Sequence, residues 1–435
     1  MNNTTTPFNP VFEGLVPSST LYINEAVNQL WRQGEQAFHM GFGESRFDVH
    51  PRLKASLIDN ANKKSYLPAR GLPELIDSVA SYYTSKLNTP FSPSQVIVGP
   101  GSKSLIFGLQ MVMNADLFLP TPSWVSYAPQ AQLLGNKVSY IPSSVEDNYQ
   151  LDIDALDVLV KKSDNPCKLL IINSPNNPTG EVMSDDFLRQ LAAYCRANDI
   201  WVLSDEIYFQ VCHGDVEHVS IAKYYPERTF VFGGLSKHLS IGGWRVGVAL
   251  FPDTELGQQL LQKMVVFASE TWSGVSAPIQ YAATSAYQQH DDVERYVVDC
   301  CAIHGIRTRF IKDKLIDLGV HCTGAQGGFY IAANFDSFRS GLSKLGITTS
   351  AQLASHLLDE YHIATLPGSD FGIPADTHTL RLSTSYLDME TEFDSQRLYD
   401  LYNGGLRSKS LMGIDNHPVT QAALFAFAQF IKTIS

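Results

Sequence analysis

An α/β architecture with a mostly parallel sheet and a smaller second domain is predicted by three features of the sequence. They are its length, the alternation of short apolar runs with helical repeats, and a change of that rhythm after about residue 285. At 435 residues the chain exceeds the size at which one core keeps growing, so two domains are expected. Candidate strands are residues 95–99, 116–120, 168–173, 201–204, 229–232 and 246–251. Between them lie segments such as Leu72, Leu75, Ile76, Val79 and Tyr83, spaced for a helix with Pro73 in its first turn. Strands alternating with such helices make a sheet covered by helices. Beyond residue 285 a long helical stretch runs through Asp317, with short strands expected at residues 329–334 and 379–384. The expected division is an arm over residues 1–45, marked by Pro7, Pro10 and Pro17 and little periodicity, then a large domain over residues 46–285 and a small domain over residues 286–435. Part of the N-terminal segment is expected to pack on the small domain.

Composition narrows the class. With 44% hydrophobic and 17% charged residues the chain can bury a large core. A net charge of -12 argues against nucleic acid as a partner, so an anionic ligand needs local positive groups. The six cysteines have neither CxxC spacing nor disulfide-scaffold density, which points to a reducing compartment, the cytoplasm. Met1 to Pro10 lacks the basic and apolar run of a signal peptide. The apolar stretch 422–431 is broken by Gln429 and falls short of the roughly 20 residues a membrane span needs, so it is read as a packed terminal helix. The twelve histidines show no HExxH or comparable spacing, and no metal is expected.

Four segments carry chemistry. In Gly233-Gly234-Leu235-Ser236-Lys237, which follows a β-branched and aromatic strand, Lys237 is placed to attack an aldehyde. Arg245, eight residues on and behind Gly242-Gly243, offers a planar fork of donors to a phosphate. Alone, Lys237 reads as a surface lysine. In Trp201-Val202-Leu203-Ser204-Asp205-Glu206-Ile207-Tyr208, Asp205 lies just past a strand's carboxyl end, where open α/β sheets place ligands, although a helix N-cap has the same look. There it can hold a protonated pyridine nitrogen, and only a protonated ring draws electrons strongly from a substrate. Asn173-Ser174-Pro175-Asn176-Asn177-Pro178-Thr179-Gly180 is a rigid turn from which Asn177, with Tyr208, can donate to a phenolate oxygen. Gly99-Pro100-Gly101-Ser102-Lys103 joins a strand to an apolar helix and offers free backbone N–H groups to a phosphate, without Walker or GxGxxG spacing.

In this order, from about Gly41 to Leu387, the segments resemble the fold-type I aminotransferases that use pyridoxal 5'-phosphate, the family that includes aspartate aminotransferase. The resemblance implies a three-layer fold, a mostly parallel seven-stranded sheet between helices, with a smaller α+β domain. It implies Lys237 as the Schiff-base lysine and general base, Asp205 as the partner of the ring nitrogen, and Asn177 and Tyr208 as partners of the ring oxygen. Gly101, Ser102 and Arg245 become the phosphate site, with Lys103 beside it, and Trp124 stacks on the ring. Arg381, in Leu380-Arg381-Leu382-Ser383, is matched to the arginine that grips the substrate α-carboxylate, and Gly43 to the loop closing over substrate. Tyr66 is matched to the tyrosine that reaches the neighbouring subunit's phosphate, which implies a homodimer with shared sites.

The sequence also departs from the family. Gly234 stands where a serine or threonine often binds phosphate, and Ser236 is the candidate replacement. Residues 269–273 lack the arginine that aspartate-specific relatives use for the distal carboxylate. Arg46 and Lys103 are candidates for an acidic substrate side chain, Phe42 and Trp272 for an aromatic one. The reaction expected is ping-pong transfer of an amino group from an α-amino acid to a 2-oxo acid. A carbon-sulfur β-lyase is the rival, since the same cofactor supports other bond cleavages. A non-enzymatic regulator would need a DNA-binding module, and no basic helix-turn-helix precedes the arm.

Overall fold

The computed structural model describes residues 9–435; residues 1–8, the start of the arm, lie outside it. Thirteen strands follow one another: β1 (Phe38–His39), β2 (Val96–Gly99), β3 (Asp116–Pro120), β4 (Val138–Ile141), β5 (Lys168–Asn173), β6 (Trp201–Asp205), β7 (Thr229–Gly234), β8 (Gly247–Leu250), β9 (His321–Cys322), β10 (Tyr330–Asn334), β11 (Ile363–Ala364), β12 (Leu366–Pro367) and β13 (Thr379–Ser383). Seven form the central sheet in the order β2-β8-β7-β6-β5-β3-β4. Only β8 is antiparallel to its neighbours, β2 and β7, so the carboxyl ends of the other six point the same way.

Both faces of the sheet are covered, which is why its strands read as unbroken apolar runs. Leu169 and Ile171 of β5 join one buried cluster, with the helices Ser102–Val112 and Glu255–Thr271, while Leu170 and Ile172 join another on the opposite face with the helices Ile153–Lys161 and Asp185–Ala197. The helices Pro73–Leu87 and Ala277–Ala286 cover the β2-β8-β7 end, where Val96, Val98, Val231 and Val248 are buried. The apolar spacing behind Pro73 thus marks the face that packs on the sheet.

The 27-residue helix Asp291–Asp317 leads into a four-stranded antiparallel sheet, β12-β13-β10-β9. Its core includes Ile331, Leu380 and Leu382, with Phe427 and Phe430 from the terminal helix Pro418–Ile434. That helix occupies the apolar stretch read as a packed end. No helix among the described residues is long and apolar enough to cross a membrane.

Two elements differ from the sequence reading. Strand β4 lies at the sheet edge with only Ile141 buried, so it lacks the apolar run that marks its neighbours. Within the segment read as an irregular arm, residues Ser19–Arg32 form an α-helix of which only Ile23 and Val27 are buried, a stripe too narrow to stand out. Just beyond it, β1 pairs in parallel with β11, Phe38 opposite Ile363, so this segment is stitched to the C-terminal part of the chain.

Candidate active site

At the carboxyl ends of the parallel strands lies a cavity of 530 Å³, within the size range of small-ligand sites. The turns at the ends of several strands deliver its lining. The turn after β2 brings Gly101, Ser102 and Lys103; the one after β5 brings Asn177; the end of β6 and the turn that follows bring Asp205 and Tyr208; the turn after β7 brings Ser236 and Lys237. Because β8 is antiparallel, its start lies at this same end and carries Arg245 there. Trp124, past β3, and Gly43, past β1, complete the wall.

The floor is acidic. Asp205 is 3% exposed, its Oδ2 accepts from Tyr127 Oη at 2.7 Å, and its Oδ1 accepts from the Ile207 amide at 3.3 Å. Burial pushes its carboxyl up to about 6, against the pull of these two hydrogen bonds. One end is cationic. Ser102 opens the helix Ser102–Val112, with Arg245 and Lys103 beside its free N–H groups. The Lys103 ammonium sits 5.0 Å from the Trp124 ring centroid, and burial, then the Arg245 charge, lower its pKa. Between the two ends, Lys237 Nζ donates to Gly43 O at 2.8 Å and lies 5.5 Å from the Tyr208 ring. Burial also raises the Tyr208 phenol well above its ordinary value, which keeps it a neutral donor.

This arrangement has relatives. Residues 36–391 match the model of the family described as aminotransferase class I and II. The chain belongs to that family. It is 32% identical over 387 residues to the aspartate aminotransferase of Geobacillus stearothermophilus, covering 87% of this chain and 94% of the relative. Among solved structures, an aromatic aminotransferase from Pyrococcus horikoshii aligns with a TM-score of 0.74 at 27% identity, over 87% of this chain and 99% of the other. A Thermus thermophilus aspartate aminotransferase variant at 23% identity shares the fold, with a TM-score of 0.79 over 98% of this chain and 100% of the other. This aminotransferase therefore uses pyridoxal 5'-phosphate and acts on amino acids. The β-lyase alternative finds no support among these relatives.

The residues present fit that cofactor. A carboxylate, a flat aromatic wall, a lysine and a cationic helix start line one cavity. Asn177 is held through its backbone N–H by Asn173 Oδ1 at 2.8 Å, which fixes the turn that brings it to the cavity. At Gly247 any Cβ would run into the Gly101–Ser102 backbone, so glycine there lets β8 press against the anion-binding turn.

The structure brings most of the sequence-predicted residues of the aminotransferase together, with two exceptions. Arg381 is fully buried but does not line the cavity; it lies behind Tyr330, its guanidinium carbon 4.9 Å from that ring's centroid, with a guanidinium NH₂ hydrogen-bonded to Gly41 O and Nε unpaired. Tyr66 is 98% exposed and does not line the chain's own cavity. Of the residues considered for the substrate side chain, Phe42 and Lys103 line the cavity, whereas Arg46 and Trp272 do not. Arg46 is already committed to Glu44, Tyr386 and the carbonyls of Met389 and Glu390, and Trp272 packs edge-on against Phe267. A serine at 234 would force the backbone at Val246 to shift, since Val246 O lies 2.8 Å from where its Cβ would be, whereas Ser236 lines the cavity. Sequence reasoning missed Tyr127 and Tyr330. Tyr127 stands three residues after Trp124, the spacing that places two side chains on one face of a helical turn, and that was its only signal.

Proposed function

We propose that the aminotransferase works by a ping-pong cycle in which Lys237 is both the attachment point of the cofactor and the base that moves the substrate α-proton. The observation that carries this reading is the convergence of Lys237, Asp205 and Arg245 on one cavity. When bound, pyridoxal 5'-phosphate supplies a pyridine ring that draws off the charge developing at the substrate α-carbon. Asp205 would hold the ring nitrogen's proton, Tyr208 and Asn177 would donate to the ring oxygen, and Trp124 would stack on the ring face. Ser102, the Gly101 backbone and Arg245 bind the phosphate, with Lys103 and Ser236 at its margin. Lys237 would take the substrate α-proton on Nζ and deliver it to the cofactor carbon on the far side of the substrate nitrogen.

The substrate carboxylate is assigned to Arg381, whose guanidinium lies against Tyr330, a residue of the cavity wall, and whose Nε has no partner among the described residues. Lysine would keep the charge but lose the planar fork. Arg381→Lys is expected to raise KM for amino donors about 10- to 100-fold, the effect of one charge-assisted hydrogen bond, with the bound cofactor's spectrum unchanged; an unaltered KM argues against the assignment. At the other end, Gly247→Ala should push Ser102 off the phosphate and weaken cofactor binding by at least about tenfold, read by titrating the apoenzyme with pyridoxal 5'-phosphate.

Residues 46–285 and 286–435 serve in this reading as the large and small domains, with the arm over residues 1–45. Tyr66, fully exposed, fits a role at the phosphate of a second copy, which makes the working form a homodimer. Six free cysteines are in keeping with a cytoplasmic enzyme. For the donor side chain, Phe42 and Leu21 offer apolar contact and Lys103 a cation, so aspartate, the substrate in the relatives' names, and phenylalanine are the first to compare. The test is a donor panel without acceptor. Ping-pong transamination releases one equivalent of 2-oxo acid per site and stops; continuous release of pyruvate and ammonia would mean elimination instead.

A further inference from the structure

The strand residue Tyr330 is the least expected member of the site. It sits on β10, two residues before Ala332, the partner of Arg381 on β13, and is 1% exposed. Its ring is held by two neighbours: the Arg381 guanidinium lies over it and is itself 5.5 Å from the Phe371 ring, and the Tyr208 ring meets it edge-on with centroids 5.5 Å apart. Its hydroxyl is thereby preset 2.7 Å from Tyr208 Oη, while its other neighbour, Gly43 O, is 3.5 Å away.

We propose that Tyr330 is a positioning residue that acts through Tyr208, donating its hydroxyl hydrogen to Tyr208 Oη and so aiming and strengthening the hydrogen that Tyr208 gives the cofactor ring oxygen. This rests on the assignment of Tyr208 above. A phenol that accepts one hydrogen bond becomes a better donor of its own, because the two bonds polarise each other. The charged and titratable groups facing the pair are Asp205 at the end of β6, Tyr127, which donates to it, Lys237 after β7, Arg381 on β13 and, beyond Arg381, Asp370; Tyr330→Phe alters none of these side chains. Hydrogen bonds given to the ring oxygen favour its anionic form and lower the pH at which the lysine linkage loses its proton. Taking away the Tyr330 hydroxyl weakens one of those bonds, so that pH rises.

The test uses holoenzyme in four forms: unmodified, Tyr330→Phe, Tyr208→Phe and the double variant. The readout is the midpoint of the pH titration of the visible band. Tyr330→Phe keeps the ring against Arg381 and should keep the band, with its midpoint raised by roughly half to one pH unit, the size of one neutral hydrogen bond. Tyr208→Phe should raise it further, and the double variant should titrate like Tyr208→Phe, because the effect of Tyr330 passes through the missing hydroxyl. A normal band that Tyr330→Phe does not move, or a Tyr330→Phe shift that persists undiminished in the Tyr208→Phe background, overturns the proposal alone. Absence of a titrating band in the unmodified enzyme overturns the assignment of Lys237 as well.

Discussion

Lys237→Ala is expected to abolish the visible band of the bound cofactor and to lower kcat by at least about 10⁴-fold, the upper range for loss of a positioned acid-base group, since attachment and proton transfer disappear together. The geometry leaves no understudy. Lys237 is the lysine that reaches the middle of the cavity, donating to Gly43 O and standing over the Tyr208 and Phe329 rings at 5.5 and 5.9 Å. Lys103 also lines the cavity, but its ammonium is held against Trp124 at the cationic end. Reduction of the holoenzyme with borohydride should therefore fix the cofactor's mass on the peptide containing Lys237, and the alanine variant should gain no covalent label. A label found on Lys103, or a variant that keeps its band and turnover, would refute the assignment. Purified variant should still bind phosphate-bearing cofactor without a covalent link, because Arg245 and the helix start at Ser102 do not depend on the lysine.

The sheet was legible because its strands are covered on both faces. Val96–Gly99, Lys168–Asn173 and Thr229–Gly234 are almost wholly buried, and burial on two sides leaves a continuous apolar run in the sequence. Edge strand β4 and the Ser19–Arg32 helix bury one residue and a narrow stripe, so periodicity carried little information there. The turns that end the strands were equally readable, since glycine, proline and asparagine are needed wherever the chain reverses at the cavity rim. What the sequence hid were contacts between elements far apart in the chain. Tyr330 meets Tyr208 across 122 residues and Gly43 across 287, and nothing local to β10 announces either meeting. Arg46 was a plausible free cation until the fold gave it four partners, three of them more than 300 residues away.

The acidic floor yields the second large effect. Asp205→Asn should reduce turnover by about 10³-fold, the scale on which removing one preorganised electrostatic partner acts, while leaving Tyr127 an oxygen to bond. The carboxyl's environment adds a pH signature that a mere structural role would not have. Burial raises its pKa from an ordinary 3.8 to about 6, with the Tyr127 and Ile207 hydrogen bonds and the Lys237 charge pulling the other way and Glu206 adding to the rise. For an acid whose folded pKa is raised, the contribution to stability is complete below about 3.8 and is lost as pH climbs through about 6. Above that window the buried charge costs roughly 3 kcal/mol, at about 1.4 kcal/mol per pH unit. A protonated ring nitrogen opposite Asp205 offsets that cost, so the rise in Tm on loading the apoenzyme with cofactor should be larger at pH 8 than at pH 5. In Asp205→Asn there is no charge to offset, and the difference between the two pH values should shrink. An Asn variant with wild-type turnover, or one whose Tm gain keeps the wild-type pH dependence, would mean that the ring nitrogen is held by some group other than Asp205.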